Sequence, residues 1–503
     1  MRLSYILAGV FCVALSCSTI IFGVKSLILM AGSIAAYLIF RYPAFGLALT
    51  IVAVLNFQNP GRIGGLGQST FFLSIAKIVG ALTAASWAFG ILTRRKGFVL
   101  NKQIGLALGF IAISAFSILF ASDTNVAMAD VSKLSTNFLL FFLIANIVNK
   151  DNIHKYFYLL VFTGFVASLM AILQVYLPSM QVSGAKSVVE FGFQEAGIVN
   201  PEQLKSGTFV RPTGTLGHPN WLSFFLVTSL PLAFFVFLNS RSWVRLITLV
   251  VMGMEIVAMV LTHDRMALVG FVWVLLLCVV TKVIRITPVR TVALMLSGVV
   301  FILIAPPTYL ERVFSPSHYK ESSSITTRWE LLTGGLAMFS NNWLIGVGGG
   351  NFGIEFMKHN QDSEAARMVF LLRKQTRTTY SDYSMGAHNM YVEVATETGV
   401  IGITIFLAFL LHGVKNMNRI RKGPKRDKYG TMATMVMISI LGFGCLGLLL
   451  HAQLQKIIWI VLGLSVAVHR MAENEIEEEK PKPAPADNFE PPPLPLREAP
   501  LRF

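Results

Sequence analysis

Residues 221–261 read WLSFFLVTSLPLAFFVFLNSRSWVRLITLVVMGMEIVAMVL, two apolar runs parted by a short polar break that holds Arg241 and Arg245. Each run is close to the roughly 20 residues with which a helix rising 1.5 Å per residue crosses about 30 Å of hydrocarbon. The same alternation extends in both directions. Apolar runs start near Tyr5, Leu27, Ala44, Phe71, Ile104, Leu134, Tyr156, Trp221, Leu246, Met266, Thr291, Met390, Thr431 and Leu454. That makes about 14 crossings, or about 12 where the short early runs form fewer. The expected fold is an all-α polytopic membrane protein of about 12 to 14 transmembrane helices.

Composition supports this reading. Of 503 residues, 54% are hydrophobic and 14% charged, with a mean hydropathy of +0.63, whereas a soluble globular chain has about 25% charged residues. A net charge of +16 raises nucleic acid as a partner, but the basic residues fall mainly in short connections between apolar runs. Topology accounts for them, and no nucleic-acid partner is expected. Cys12, Cys17, Cys278 and Cys445 all lie inside apolar runs. They read as small buried hydrophobes, not as a disulfide or zinc framework. Arg2 and the apolar stretch after it resemble a signal peptide, yet no A-x-A-like site follows and further spans come at once. The stretch is expected to be the first span.

Lysine and arginine near span ends set the expected orientation. Lys415, Arg419, Arg421, Lys422, Lys425, Arg426 and Lys428 form the strongest run and are placed in the cytoplasm. Counting alternately from there puts Arg94, Arg95 and Lys96, then Arg241 and Arg245, then Lys282, Arg285 and Arg290 on the same side. Both termini then lie inside, and the connections 178–217 and 306–387 lie outside. The expected organisation is an N-terminal transmembrane bundle at 1–177, further spans with the first outer loop at 178–305, a long outer loop at 306–387, C-terminal spans at 388–472, and a tail at 473–503. In the long loop Trp329, Leu332, Leu336 and Phe339 recur at helical spacing. An amphipathic helix is expected there, packed under the loop or lying along the membrane surface. The glycines of LIGVGGGNF (344–352) lack the strand-turn-helix context of a nucleotide loop and read as a structural turn. The tail, with PKPAPADNFEPPPLPL, cannot bury enough apolar surface to fold alone.

Candidate chemistry lies at the outer ends of spans, because a charge in or near the membrane is costly and has a partner or a task. Arg211 stands in RPTGTLGHPNWLSFF, followed by His218 and Asn220. Arg265 stands in THDRMALVGF at a tight outer hairpin beside His263 and Asp264, which read as supporting groups. His388 stands in GAHNMYVEVATETGVIG, where the long loop ends and a span begins. Three sites distant in sequence thus share one membrane level. His388 and Asn389 lie at a helix start, where backbone N–H groups and the positive dipole end can hold an anion. Gly399 and Gly402 permit close approach of a neighbouring helix. Glu393 and Glu397 share one face, with Glu397 about 13 Å below His388 by helical rise. Glu397 orients His388 or an arginine, or satisfies a helix contact. Arg328, in SSSITTRWE, is a third basic candidate, and Lys77 either lines the same cavity or snorkels to the surface.

HN, nine residues and then GVIG (388–402) resembles the His-Asn-x9-Gly-x-x-Gly signature of the bacterial O-antigen ligases and the related O-antigen and exopolysaccharide polymerases. RPTGTLGHPN is similar to the segment that carries an arginine in those enzymes, and DRMALV resembles their outer-hairpin arginine motif. There Val269 stands where the motif usually has Leu, with Leu268 beside it. TTRWELL and NNWLIGVGGGNF look like their long loop. The resemblance implies a GT-C-like glycosyltransferase of the bacterial inner membrane with its site facing the periplasm. It implies an undecaprenyl-pyrophosphate glycan as donor, with no cofactor and no metal. The acceptor would be a lipid A core sugar for a ligase, another lipid-linked repeat for a polymerase, or a protein hydroxyl. Membrane lipids and polysaccharide-assembly proteins are the implied partners.

In that chemistry Arg211 and Arg265 clamp the departing pyrophosphate, and His388 takes the acceptor proton. Direct attack inverts the anomeric carbon. Arg328, Asn389, Lys77, His218 and Asn220 would bind substrate, with Glu397, Gly399 and Gly402 in support. A solute transporter is the competing class, through Lys77, Glu255 and Glu397, although no inverted repeat is evident in the sequence.

Overall fold

The computed structural model describes residues 24–56, 75–94, 98–177, 211–284, 287–288, 323–363, 366 and 386–479. Among the described residues the chain is helical, without strands. The helices are α1 (Val24–Arg41), α2 (Pro43–Asn56), α3 (Ile75–Arg94), α4 (Lys102–Phe116), α5 (Thr124–Ile147), α6 (Ile153–Tyr176), α7 (Pro219–Asn239), α8 (Ser242–Leu261), α9 (Arg265–Val280), α10 (Ser323–Asn341), α11 (Phe352–His359), α12 (Met390–Lys422), α13 (Arg426–Leu446) and α14 (Lys456–Glu478). A short 3-10 helix, Ser117–Phe120, follows α4. Nine of these helices are long and apolar enough to cross a membrane, and three shorter apolar stretches lie in α1, α2 and α9. The protein is a multi-pass membrane protein.

Every expected span start among the described residues has its helix, and those near Tyr5, Phe71 and Thr291 lie outside them, although α3 is described from Ile75; most of 178–217 and the Pro-rich part of the tail lie outside as well. α5 begins at Thr124, well before the apolar run near Leu134. The reason is local: the Asp123 side chain accepts the N–H groups of Asn125 and Val126 at 2.9 and 3.1 Å and starts the helix there.

α7, α13 and α14 are the central helices, with 78% of each apolar window buried inside the protein against 11% for α3 at the periphery. A helix apolar on all sides suits that place. α13 packs on α7, α9 and α12, and α14 packs on α5. Within the bundle, polar pairs tie helix to helix, as where Gln103 Nε2 donates to Ser465 Oγ at 3.1 Å and Asn137 Nδ2 to the Leu454 carbonyl at 2.8 Å.

The ends of the bundle are defined by such bonds. At one end Tyr156 Oη donates to the Ala44 carbonyl at 2.9 Å, Val99 N–H to Asn146 Oδ1 at 2.8 Å, and Tyr429 Oη to Glu475 at 2.8 Å, with Lys425–Glu479 and Lys428–Glu475 ion pairs beside it. This is the end that holds the basic run of 415–428. At the opposite end Gln174 Oε1 accepts the N–H groups of Thr213 and Gly214, both at 2.9 Å, and Met390 N–H donates to the Gly447 carbonyl at 2.7 Å. The starts of α7, α9 and α12 all lie at this second end.

The expected amphipathic helix exists as α10, but its buried face differs from the stripe read in the sequence. Leu331 and Met338 are buried against Phe352, Phe356, Ala387 and Val392, whereas Trp329 is 65% and Leu336 50% exposed. Gly334 and Gly335 lie on the buried side, where they let the Phe356 and Phe352 rings approach the α10 backbone. The two glycines are invisible to a search for apolar spacing.

Candidate active site

Three helix starts build the site, each capped by its own sequence. Pro219 opens α7 with a preset φ and no donor to satisfy, and His218 Nδ1 accepts Asn220 N–H at 3.1 Å. Asp264 Oδ1 accepts Met266 N–H at 3.0 Å and opens α9. Asn389 Oδ1 accepts Tyr391 and Val392 N–H at 3.0 and 3.1 Å and opens α12. Next to the last two caps His263 and His388 take positive φ values of 51° and 49°. That left-handed geometry costs a side-chain-bearing residue free energy and persists where the surroundings hold it.

Arg211 is buried and oriented from two sides. Its Nε donates to the Thr262 carbonyl at 2.7 Å and its Nη2 to Asn220 Oδ1 at 3.1 Å, while Thr262 Oγ1 and Ser223 Oγ lie 3.0 Å apart behind it. The two bonds fix the plane of the guanidinium between the starts of α7 and α9. Asp264 is close enough for its charge to interact with Arg211 and Arg328. Burial holds its carboxyl above the ordinary range, outweighing the downward pull of Arg211, the Met266 N–H, Ser223 and Arg328. Arg328, on α10, has Nη1 3.7 Å from Met266 Sδ, which puts it at the start of α9.

His388 completes the group. Burial, and then the nearby charges of His451, Arg328 and His218, hold its imidazole well below the usual histidine range. The His388 and His451 rings are edge to face with centroids 5.6 Å apart. His451 Nδ1 is 4.0 Å from Glu393 Oε2, and the same carboxyl accepts Ala387 N–H at 2.7 Å and Gln453 Nε2 at 2.8 Å. Arg211, His218, Asp264, Arg328, His388 and His451 thus form one electrostatically connected cluster.

Below the cluster α12 is broken at Gly399, with φ 67° and ψ −172°. The glycine-rich turn occupies the break. Val347 N–H donates to the Thr396 carbonyl at 2.9 Å, Gly348 N–H to the Glu397 carbonyl at 3.0 Å, and Val400 N–H to the Trp343 carbonyl at 2.7 Å. The Glu397 side chain accepts the backbone N–H groups of Gly350 and Phe352. The turn is anchored on its other side by Asn351, whose Oδ1 accepts Asp123 N–H at 2.8 Å, and by Glu355, which meets Ser122 and Lys358. Burial alone would raise the Glu355 carboxyl, but the bonds from Lys358 and Ser122 bring it below its ordinary value.

This geometry corrects two expectations, at the start of α12 and at the glycine pair, and decides between the alternatives left open for Glu397 and Lys77. The start of α12 offers no open set of N–H donors, because Gly447 takes that of Met390 and Asn389 takes the next two, while Asn389 Nδ2 donates to the Leu448 carbonyl at 3.1 Å. Glu397 holds the glycine-rich turn, and it is Glu393, one helical turn nearer the start, that reaches the histidines. Gly399 admits the backbone of Leu344 and not a neighbouring helix, and Gly402 makes room for Thr398 of its own helix. Lys77 lies exposed on α3, in keeping with the second of its two readings, and its charge is felt by Lys456. His451 and Gln453 were not singled out from sequence. The signal was HAQLQ (451–455), a polar pair in a short connection between two long spans at the site end.

A pH response follows from His218. Burial, and then the charges of Arg211 and His451, lower its imidazole to about 4. On acidification the opened state takes up the proton first, at about 6.5. Stability is therefore full above that value and lost as pH falls toward 4, by about 2 kcal/mol at pH 5. His218→Asn keeps a capping side chain and is expected to lessen the drop in thermal midpoint between pH 7.5 and pH 5 in detergent. An unchanged drop would show that His218 does not carry it.

No curated protein matches the chain. Residues 248–407 match the family model described as O-Antigen ligase, a stretch that runs from within α8 into α12 and holds Arg265, Arg328, His388 and the Gly399 break. The matched part of the chain is thus similar to the O-antigen ligases, the superfamily that the arginine and histidine motifs resemble.

Proposed function

We propose that the protein transfers a glycan from an undecaprenyl pyrophosphate carrier to an acceptor hydroxyl at the His388 end of the bundle. The observation that carries this reading is the convergence of Arg211, Arg328 and His388, from segments far apart in sequence, on one partly buried end of a membrane bundle. The basic end then faces the cytoplasm and the His388 end the periplasm, by the excess of Lys and Arg in the short connections. No nucleotide sugar pool exists on that side, so the bond energy arrives with the donor, and a lipid pyrophosphate partitions into the membrane with it.

The step is a displacement. The acceptor O–H gives its proton to His388, its oxygen bonds to the anomeric carbon, and the C–O bond to pyrophosphate breaks with its electron pair on the leaving group. The anomeric centre inverts. Arg211 and Arg265, with Arg328 beside them, balance the charge that gathers on the pyrophosphate, since guanidinium pairs with phosphate oxygens in bidentate fashion and stays charged in a low-dielectric site. Burial and the charges around it favour the neutral His388 imidazole, the form that can receive the proton. A lipid A core sugar and a second lipid-linked glycan are both chemically competent acceptors. The division read from the sequence, an N-terminal bundle to 177, further spans to 305, an outer loop to 387 and C-terminal spans after it, goes with this reading, except that the tail starts after α14 ends at Glu478 and not at 473.

Arg265 tests the clamp. Arg265→Ala is expected to lower transfer about 10²-fold, and Arg265→Lys to restore only part of it, because a point charge replaces a fork. Transfer is measured as consumption of lipid-linked glycan in membranes. A folded Arg265→Ala protein working within about twofold of the native rate would remove Arg265 from the mechanism.

A further inference from the structure

We propose that His451 and Glu393 are positioning residues for the transfer, together holding His388 in place; the proposal rests on His388 as the base. Glu393 ties together the two segments that carry the imidazoles. One of its oxygens accepts the N–H of Ala387, the residue before His388, and the other accepts Gln453 Nε2, two residues past His451. Its Oε2 also faces His451 Nδ1 at 4.0 Å. Glu393 and Gln453 are buried, and a Cβ at Gly386 would fall 2.5 Å from Glu393 Oε2 and 2.6 Å from His451, so the arrangement is tightly enclosed.

Both Glu393 oxygens act as acceptors. His451 Nδ1 faces Oε2 at 4.0 Å, a charge contact longer than a hydrogen bond, and is, like His388 Nδ1, buried without one among the described residues. The His388 ring lies edge to face with that of His451 at 5.6 Å. When the acceptor hydroxyl gives its proton to His388, a cation forms in a site already occupied by arginines. His451 and Glu393 serve this step by fixing where the His388 ring stands, His451 through the ring contact and Glu393 through the Ala387 N–H. The proton stays on His388 until solvent removes it, and no group other than the hydroxyl, His388 and the leaving pyrophosphate changes its bonds.

The test uses purified full-length variants added to washed membranes of a strain lacking the protein, which hold the native lipid-linked glycan. Rates are read at limiting and saturating donor. His451→Phe, which keeps a ring, and Glu393→Gln, which keeps the shape, are each expected to lower kcat about 10- to 100-fold with donor KM within about twofold. The double variant is expected within about threefold of the worse single one, as for groups that act as a unit. Thermal midpoints identify unfolded variants, and His451→Gln replaces His451→Phe if the latter does not fold. Native kcat in folded His451 variants, a loss carried by KM, or multiplying effects in the double variant would overturn the proposal while His388→Ala stays inactive. Transfer by His388→Ala would instead overturn the parent reading, and this one with it.

Discussion

His388→Ala is expected to leave the protein folded in the membrane and to lower glycan transfer about 10³-fold, the range that a positioned proton acceptor contributes. The fold survives because His388 makes none of the bonds that start α12. Asn389 caps Tyr391 and Val392, the Gly447 carbonyl takes Met390 N–H, and Glu393 takes Ala387 N–H. Replacing the imidazole by a methyl group also removes the strain of a bulkier side chain at φ 49° only in part, since alanine too carries a Cβ. Thermal stability is therefore expected to change little while the chemistry fails. Donor binding should persist, because the arginines at the starts of α7 and α9 are untouched. The check is the rate of lipid-linked glycan consumption set against the thermal midpoint. A fully active His388→Ala protein would leave the acceptor proton without its assigned destination.

Gly399→Ala is expected to do the reverse and remove the folded protein itself. At φ 67° and ψ −172° Gly399 occupies a region that is essentially confined to glycine. A Cβ there would lie 2.2 Å from the Leu344 carbonyl oxygen and 2.5 Å from Ile345 N, both backbone atoms that cannot rotate away. Backbone strain of about 1–3 kcal/mol adds to that overlap, a large share of the 5–15 kcal/mol by which folded domains are typically stable. Gly402 provides the contrast. A Cβ there meets the Thr398 hydroxyl at 1.9 Å, a side chain of the same helix that a second change can clear. Free of positive-φ strain, Gly402→Ala is therefore expected to be milder, and because Thr398 Cβ also lies 2.3 Å away, Thr398→Gly rather than Thr398→Ala is expected to relieve it. Folded yield from detergent by size-exclusion chromatography separates the cases. Equal yields for the two glycine variants would contradict the broken helix.

The spans were legible because their signal is length and hydropathy, which the bilayer imposes whatever the neighbours. Arg211, Arg265 and His388 were legible for a related reason: a charge at a span end stands out against an apolar background. What escaped the sequence depends on which face meets which. The α10 stripe of Trp329 and Leu336 has helical spacing, but two glycines made the other face the buried one. Glu393 and Glu397 sit on one helix face in the sequence. Only the fold shows that Glu393 meets His451 and Glu397 meets the glycine-rich turn, because those partners come from 451–453 and 350–352. Gly399 and Gly402 read alike as a small-residue pair, while a backbone angle of 67° at the first makes it a helix break.

The central claim, that this bundle moves glycans off a lipid carrier, is tested most directly by the profile of lipid-linked glycans in a strain that has lost the protein. Carrier-linked glycan is predicted to accumulate, as long chains if the acceptor is a lipid A core sugar and as single repeats if it is another lipid-linked glycan. The native gene should clear it and His388→Ala should not. An unchanged lipid-linked profile with normal surface polysaccharide, and above all the loss of a solute uptake in its place, would contradict the account.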